Sequence, residues 1–457
     1  MSNGFEETRI SRRKLLAGAG GVAGAVATKS LFGPGLARAI PRRGLSPVTV
    51  TVMGNDEFTP AYIEDFQNKN PNIKINFSNF DPAKFQAMMA AGTPPDMWRT
   101  QAPLIPQWAK RGQLLNLDKY FAASDLIHPG NLLPASNYYR FDGKRIGRGP
   151  RYGMVKDWSP DGTVFVNLQM LRGIKGIEIP GPTDRWTYDD LWNIAWKLKQ
   201  ANKAKWILDV ANSYTWIDRQ IMAMLNQKGK ALYPPDFSRI NITNSPEAVK
   251  IFSHLFRYSK NKMDLGPENS NPDGWSGPGF VAGKGTVAMT QYGYWFTGNF
   301  VGNARAERRS RMLPAPIWNH GKRADPTITA TGFVIAGQTK VPDQAWAVFE
   351  YYMGGKPAYE RAATGWGVPA QQSLFDRLPH SNAFQRNNFK VLIHELPTAN
   401  VVLQFNPNLV GLGDTTAVAA AYLKYLPDAA KGRMSFQSFL KNIERDANRA
   451  IEAGKSG

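Results

Sequence analysis

The chain has 457 residues, of which 42% are hydrophobic and 20% charged, and it contains no cysteine. Such a chain is long enough for two or three domains with real cores and is neither disordered nor membrane-embedded in composition. The missing cysteines exclude disulfides, thiolate metal sites, a cysteine nucleophile and a lipid-bearing cysteine at a mature terminus. The formal charge is +20, a balance that suits nucleic acid, an anionic membrane face or an anionic small molecule. The positive residues are scattered, with only short runs such as Arg305–Arg311, and no helix-turn-helix or zinc-finger pattern accompanies them. The charge therefore reads mainly as solvated surface, with no nucleic acid expected and an anionic ligand as the minor alternative.

Ser11-Arg12-Arg13-Lys14-Leu15-Leu16 opens a mildly apolar, Gly/Ala-rich run to Val26, and Ala37-Arg38-Ala39 follows. Paired arginines, weak apolar segment and A-x-A site stand in the order of a twin-arginine export signal, which the segment resembles. Residues 1–39 are therefore expected to be a signal peptide, with the mature chain starting near Ile40. They carry +4 of the charge, leaving about +16. Without a cysteine anchor the product would be free in a periplasm. Gly18-Ala19-Gly20 to Ala23 fits a loose dinucleotide fingerprint, but no strand precedes it and it lies inside the signal.

Along the mature chain, Val48, Val50 and Val52 alternate with threonines and predict a strand. A helix follows, with Pro60 early, Tyr62, Ile63 and Phe66 on one face, and a stop at Asn70-Pro71. Ile73, Ile75 and Phe77 mark a second strand, Lys84–Ala91 a short helix, and Met97-Trp98-Arg99-Thr100 a third strand. Leu104 to Arg111 reads as helical. Strand, helix, strand, helix, strand predicts a parallel sheet. Tyr152 to Asn167 reads as a paired extended segment interrupted by Asp157-Trp158-Ser159-Pro160-Asp161-Gly162. Thr187 and Asp190 cap a helix over 187–201 whose buried face is Leu191, Ile194, Ala195 and Leu198. Phe280 precedes a Gly283-Lys284-Gly285 turn, a strand from Thr286 to Met289, and an aromatic edge at Tyr292, Tyr294 and Trp295. Pro342 to Tyr352 and a segment from about Ser435 are further helices.

Several of these pieces resemble one family, in order: the extracellular solute-binding proteins of ABC importers, in the subgroup that includes maltose-binding protein. Gly92-Thr93-Pro94-Pro95-Asp96 resembles its GxPPD segment, and Gly112-Gln113-Leu114-Leu115-Asn116-Leu117-Asp118 its G-x-L-x-x-L-D segment. Val166-Asn167 stands where Tyr-Asn is common. Phe280 to Met289 resembles F-x-x-G-x-x-A-M, Gly293-Tyr294-Trp295 the Gly-x-Trp behind it, and Thr364-Gly365-Trp366-Gly367-Val368-Pro369 the late G-x-x-P turn. The resemblance implies an α/β, two-lobed periplasmic-binding-protein fold with a ligand cleft between lobes joined by crossing strands. The lobes are expected at about 46–158 plus 332–370 and 159–331 plus 371–457.

A sugar presents faces of C–H bonds, which aromatic rings cover, and a rim of hydroxyls, which planar polar side chains meet. Trp295 matches the family's stacking tryptophan. Tyr214 and Trp216 resemble the second-lobe segment that supplies a ring, and Trp366 lies in a Gly-flanked turn of the first lobe. Trp275, Trp158 and Tyr292 are further ring candidates. For the polar rim, Asn55 and Asp56 follow the first strand and Thr100 and Gln101 the third, where carboxyl ends of parallel strands face such a crevice. Asp157 lies on the hinge-side loop with Asp161, which a turn-capping role suits as well. Thr331-Gly332 brings backbone to the cleft or serves the hinge.

The expected function is therefore capture of a sugar or oligosaccharide, as a monomer without cofactor or metal, for delivery to ABC permease subunits in the membrane. An anionic sugar derivative, met by Arg99, Lys156 or Arg219, is the alternative. A hydrolase would need a carboxylate pair such as Asp157 and Asp161, four apart in a Pro/Gly loop. The five histidines form no H-x-x-x-H or H-E-x-x-H pattern.

Overall fold

The first strand, β1 (Val48–Gly54), alternates Val50 and Val52 into the core and hands over to the helix Pro60–Lys69 through Thr59. The Thr59 hydroxyl accepts from the Tyr62 N–H, satisfying one of the free donors of the first turn. Only Phe66 is buried on that helix; Tyr62 and Ile63 stay half-exposed. β2 (Ile73–Asn79) then pairs with β1 in parallel along its whole length. Asp81 caps the next helix, Pro82–Ala90, and β3 (Met97–Gln101) returns on the other side of β1, also parallel. This computed structural model describes residues 47–210, 214–264, 276–283, 286–399, 401–409 and 416–455. The expected signal segment and Trp275 lie outside them.

A small hairpin of β4 (Arg140–Phe141) and β5 (Ile146–Arg151) precedes β6 (Gly153–Asp157). β6 joins the first sheet only through β11 (Thr331–Ile335), which runs antiparallel to both β3 and β6. The order is β2-β1-β3-β11-β6. The second sheet is built from β7 (Val164–Asn167), β8 (Trp206–Val210), β9 (Val287–Gln291) and β10 (Ser310–Leu313) in the order β10-β7-β9-β8. The expected pairing within 152–167 is therefore not found. β6 and β7 lie in different sheets, because residues 158–163 carry the chain from one to the other. Alternation marks extended backbone but not its partner.

Each sheet is closed by aromatic cores. On one face of the first, Phe58 stacks on Tyr352 with centroids 4.4 Å apart and meets Phe333 edge-on; Trp98, Phe85 and Trp108 form a second cluster. In the second, Phe165 packs between Phe296 and Phe300. The helix Tyr188–Gln200 has the expected reciprocal cap between Thr187 and Asp190 and buries Leu191, Ile194, Ala195 and Leu198. The helix Phe436–Lys455 buries Phe439, Leu440, Ile443, Ala447 and Ile451. Its polar edge clamps a distant segment: Glu444 accepts from the Ile242 and Thr243 N–H groups at 2.7 Å, and Asn448 from Ile240.

The two sheets are tied where the chain crosses. Residues 158–163 link β6 to β7, residues 314–330 link β10 to β11, and Trp158 makes a backbone bridge with Val368. Asp161, 2% exposed, gathers these segments. One oxygen accepts from Ser159 Oγ; the other accepts from the N–H groups of Ile328 and Thr329 and the hydroxyls of Thr327 and Thr329. Charge-assisted bonds of this kind contribute about 1.5–3 kcal/mol each against an unmade alternative, and orphaning several buried donors is costly. Asp161→Ala should lower stability by about 3 kcal/mol or more, read as a fall in the urea midpoint.

Candidate functional site

β3 and β6 end, and β11 begins, at one edge of the first sheet. Thr331 lies opposite both Gln101 and Asp157, and Gly332 opposite Thr100. The fold thus brings Thr100, Gln101, Asp157, Thr331 and Gly332 together. Thr100 and Thr331 are buried, and Tyr139 donates its hydroxyl to the Thr100 and Ala330 carbonyls, fixing this edge from behind. Asn55 and Asp56 remain exposed at the end of β1. Asp56 adopts a left-handed φ of 55° and is clipped to Asn79, which donates to its carboxylate at 2.8 Å.

Beside this edge lies a charged network the sequence reading only partly named. Glu57 sits 3.1 Å from Arg99 and 3.5 Å from Lys156, and Lys156 is 2.6 Å from Asp157. Two cations and two carboxylates balance. Burial pulls the Lys156 ammonium down, but Asp157 and Glu57 outweigh it and hold it above its ordinary value. Glu57 was not singled out from the sequence; its one signal is its place two residues beyond Asn55, in the turn after β1. Arg219, fully buried in the first turn of the helix Ile217–Asn226, reaches across to donate to Gln101 and to the Ile328 carbonyl.

The rings come from three segments. Tyr292 and Trp295 follow β9, Trp216 precedes the helix Ile217–Asn226, and Trp366 lies in the turn after the helix Lys356–Ala362. Trp295 is the common neighbour: its ring lies 5.3 Å from Tyr292, 5.6 Å from Trp366 and 6.4 Å from Trp216. Trp216, Trp295 and Trp366 are half-buried, whereas Tyr292 is buried with its hydroxyl on Asp209, beside Ser276. Burial first, and then the Asp209 charge, hold the Tyr292 phenol well above its usual range, so it stays neutral and donates. The Trp216 Nε1–H is buried and meets no acceptor among the described residues. Tyr214 and Trp158 point elsewhere. Tyr214 is fully buried with its hydroxyl on Asp264, and Trp158 is 1% exposed with Nε1 3.4 Å from the Pro369 carbonyl.

Two close approaches explain the glycines of the aromatic edge. A Cβ on Gly293 would fall 2.1 Å from Asp161 Oδ1 and 2.9 Å from the Pro160 carbonyl, so the edge lies directly on the crossing segment. A Cβ on Gly298 would fall 2.9–3.1 Å from the Trp366 N, Cα and Cβ atoms. The Trp366 turn is held in shape by Thr364, whose hydroxyl donates to the Arg361 carbonyl and accepts from the Trp366 N–H.

Two α/β sheets and the crossing segments between them define a two-lobed fold of the periplasmic-binding-protein type. The chain belongs to the bacterial extracellular solute-binding proteins: that family's model matches residues 61–387. Solved structures share the fold at low identity. An ABC substrate-binding protein from Listeria monocytogenes in complex with cycloalternan is 20% identical, over 89% of this chain and 100% of that one, with a TM-score of 0.70. The GacH receptor of Streptomyces glaucescens, solved unliganded and with acarbose, is 18% identical over 90% and 99%, TM-score 0.67. A binding protein from B. animalis subsp. lactis in complex with beta-1,6-galactobiose is 18% identical over 90% and 98%, TM-score 0.68.

Gly298→Ala should push the Trp366 turn off the 294–299 segment without touching either core. Near-UV circular dichroism should lose intensity from the Trp295–Trp366 pair, and emission should shift to the red, while far-UV ellipticity is kept.

Proposed function

We propose that this chain is the capture subunit of an ABC importer, taking a neutral sugar or oligosaccharide between its lobes and passing it to membrane permease subunits. One observation carries the reading: Trp295 and Trp366, from segments on opposite sides of the crossings, meet at 5.6 Å. Two indoles tilted at 54° at that distance leave no slot for a pyranose, so a guest between them has to part the lobes. Trp216, with its free indole N–H, and the buried polar edge at Thr100, Gln101 and Asp157 supply partners for a hydroxyl rim. Ligand held by one lobe gains contacts from the other only on closure, so binding and closure are the same equilibrium. The sugars and sugar-like ligands in structures of the same fold are in keeping with this class.

The balanced network weakens the anionic alternative, because Arg99 and Lys156 are already neutralised by Glu57 and Asp157. A hydrolytic pairing of Asp157 with Asp161 has no support either, since Asp161 is committed to the crossing segments. The reading places the protein outside the cytoplasm, in the periplasm, exported through the twin-arginine route and acting as a monomer without a cofactor.

Unfolding temperature measured against a panel of neutral and anionic sugars should rise with a neutral member, and the sugar should be recovered unchanged. No shift with any sugar would overturn the reading. For the sugar found, Trp295→Ala and Trp366→Ala should each weaken binding by about 2 kcal/mol, ~30-fold in Kd, in tryptophan-fluorescence or calorimetric titrations.

A further inference from the structure

Among the described residues, the crossing segments and the helix Ala383–Ala399 bury more negative charge than Arg323, the cation turned toward it, balances. Asp325 is 2% exposed and Glu395 is fully buried. Asp325 Oδ1 accepts from the Gly162 N–H at 2.6 Å, on the 158–163 crossing. Glu395, on the helix Ala383–Ala399, accepts from the Ala315 N–H at 3.0 Å, at the start of the 314–330 crossing. Arg323 bridges Glu395 and the Ala315 carbonyl. These groups form one knot, since a Cβ on Gly162 would touch both Asp325 and Ala315. Asp161 lies in the same region with its own carboxylate committed. Asp325 and Glu395 thus share one guanidinium, with Asp161 near enough to act on Asp325.

The second oxygens, Asp325 Oδ2 and Glu395 Oε2, are buried and have no hydrogen-bond partner among the described residues. A buried, ionised carboxylate oxygen left unmatched is costly, and a proton on it removes the cost. No group of three or more acidic or histidine side chains suited to a metal ion occurs among the described residues, so a proton is the fitting occupant. We propose that the Asp325–Glu395 knot carries one proton around neutral pH, and that its loss loosens the two crossings and hence the hinge between the lobes.

The electrostatics agree in direction. Burial first, then the charge of Glu395, push Asp325 well above the usual carboxylate range. Burial lifts Glu395 to about 7, against the opposing pull of Arg323. Asp161, raised by burial, and Tyr188, its phenol raised by burial and by Asp325, also face the knot. His394, next to Glu395, is lowered by burial and by Arg323, with Asp184 opposing. A carboxyl raised in the folded state stabilises it fully below the unfolded value. For Glu395 that contribution is lost as pH rises between about 4.5 and 7, and for Asp325 over a window that extends higher.

Full-length protein should therefore lose about 3 °C of unfolding temperature between pH 5 and 7.5 and not regain it above. Asp325→Asn, which keeps shape without an ionisable proton, should flatten that slope, and Glu395→Gln should do the same. His394→Asn should leave the slope in place. Hydrogen exchange compared between wild type and Asp325→Asn at a single pH of 8 should show the Gly162, Ile328 and Thr329 amides exchanging about tenfold faster in wild type. A flat wild-type profile, a slope unchanged in both carboxamide variants, a slope removed by His394→Asn, or equal exchange at those amides would each overturn the proposal. Should one carboxamide variant fail to fold, the other and the exchange comparison still decide it.

Discussion

The buried carboxylate of Asp161 ties together the two segments through which the chain passes between its sheets. Its five acceptor contacts join residues 159–161 to 327–329, which lie more than 160 positions apart. Neither sheet could keep its angle to the other if those segments slid independently. The aromatic edge depends on it too, because Gly293 rests against Asp161 and Ser159. The position of Trp295 is therefore set by the hinge, not by its own sheet alone.

The ring cluster and the charged network divide the work by strength and direction. Aromatic contacts are individually modest, about 0.5–1.5 kcal/mol beyond area burial, and tolerate small shifts of a partner. The hydrogen bond from Arg219 to Gln101 is directional and spans the two lobes. On the proposed reading, rings would select a class of guest by shape, while the polar edge would register its orientation. The neutral balance of Glu57, Arg99, Lys156 and Asp157 keeps that edge from acting as a general anion trap, despite the +20 formal charge of the whole chain.

Much of the fold was legible because local rules agreed with it. The alternation of Val48 to Val52, the Thr187–Asp190 cap and the helical spacing from Phe436 to Ile451 each name an element without tertiary information. The motif order from Gly92 to Pro369 added the family. What alternation could not supply was the partner of a strand, so β6 and β7 read as one pair although a sheet change separates them. The site was legible as a set of residue types and only unevenly as places. Trp216, Tyr292, Trp295 and Trp366 come into contact, whereas Tyr214, in a left-handed conformation at φ 72°, turns its ring into the core. A backbone sign change of that kind has no signature in a non-glycine residue. Glu57 and the Asp325–Glu395 pair escaped for a related reason: burial of an acid is decided by segments far away in sequence, as Gly162 is from Asp325, 163 positions apart.

The clamp between the helix Phe436–Lys455 and residues 240–243 bears on the order in which the molecule is assembled. Glu444 and Asn448 reach backbone amides made 202 and 208 residues earlier. As the chain leaves the ribosome, that stretch waits with its amides in water until the helix emerges. Its completion is thus a late event in synthesis, and a nascent chain halted before residue 436 would expose the apolar surface that Phe439, Ile443 and Ile451 later cover.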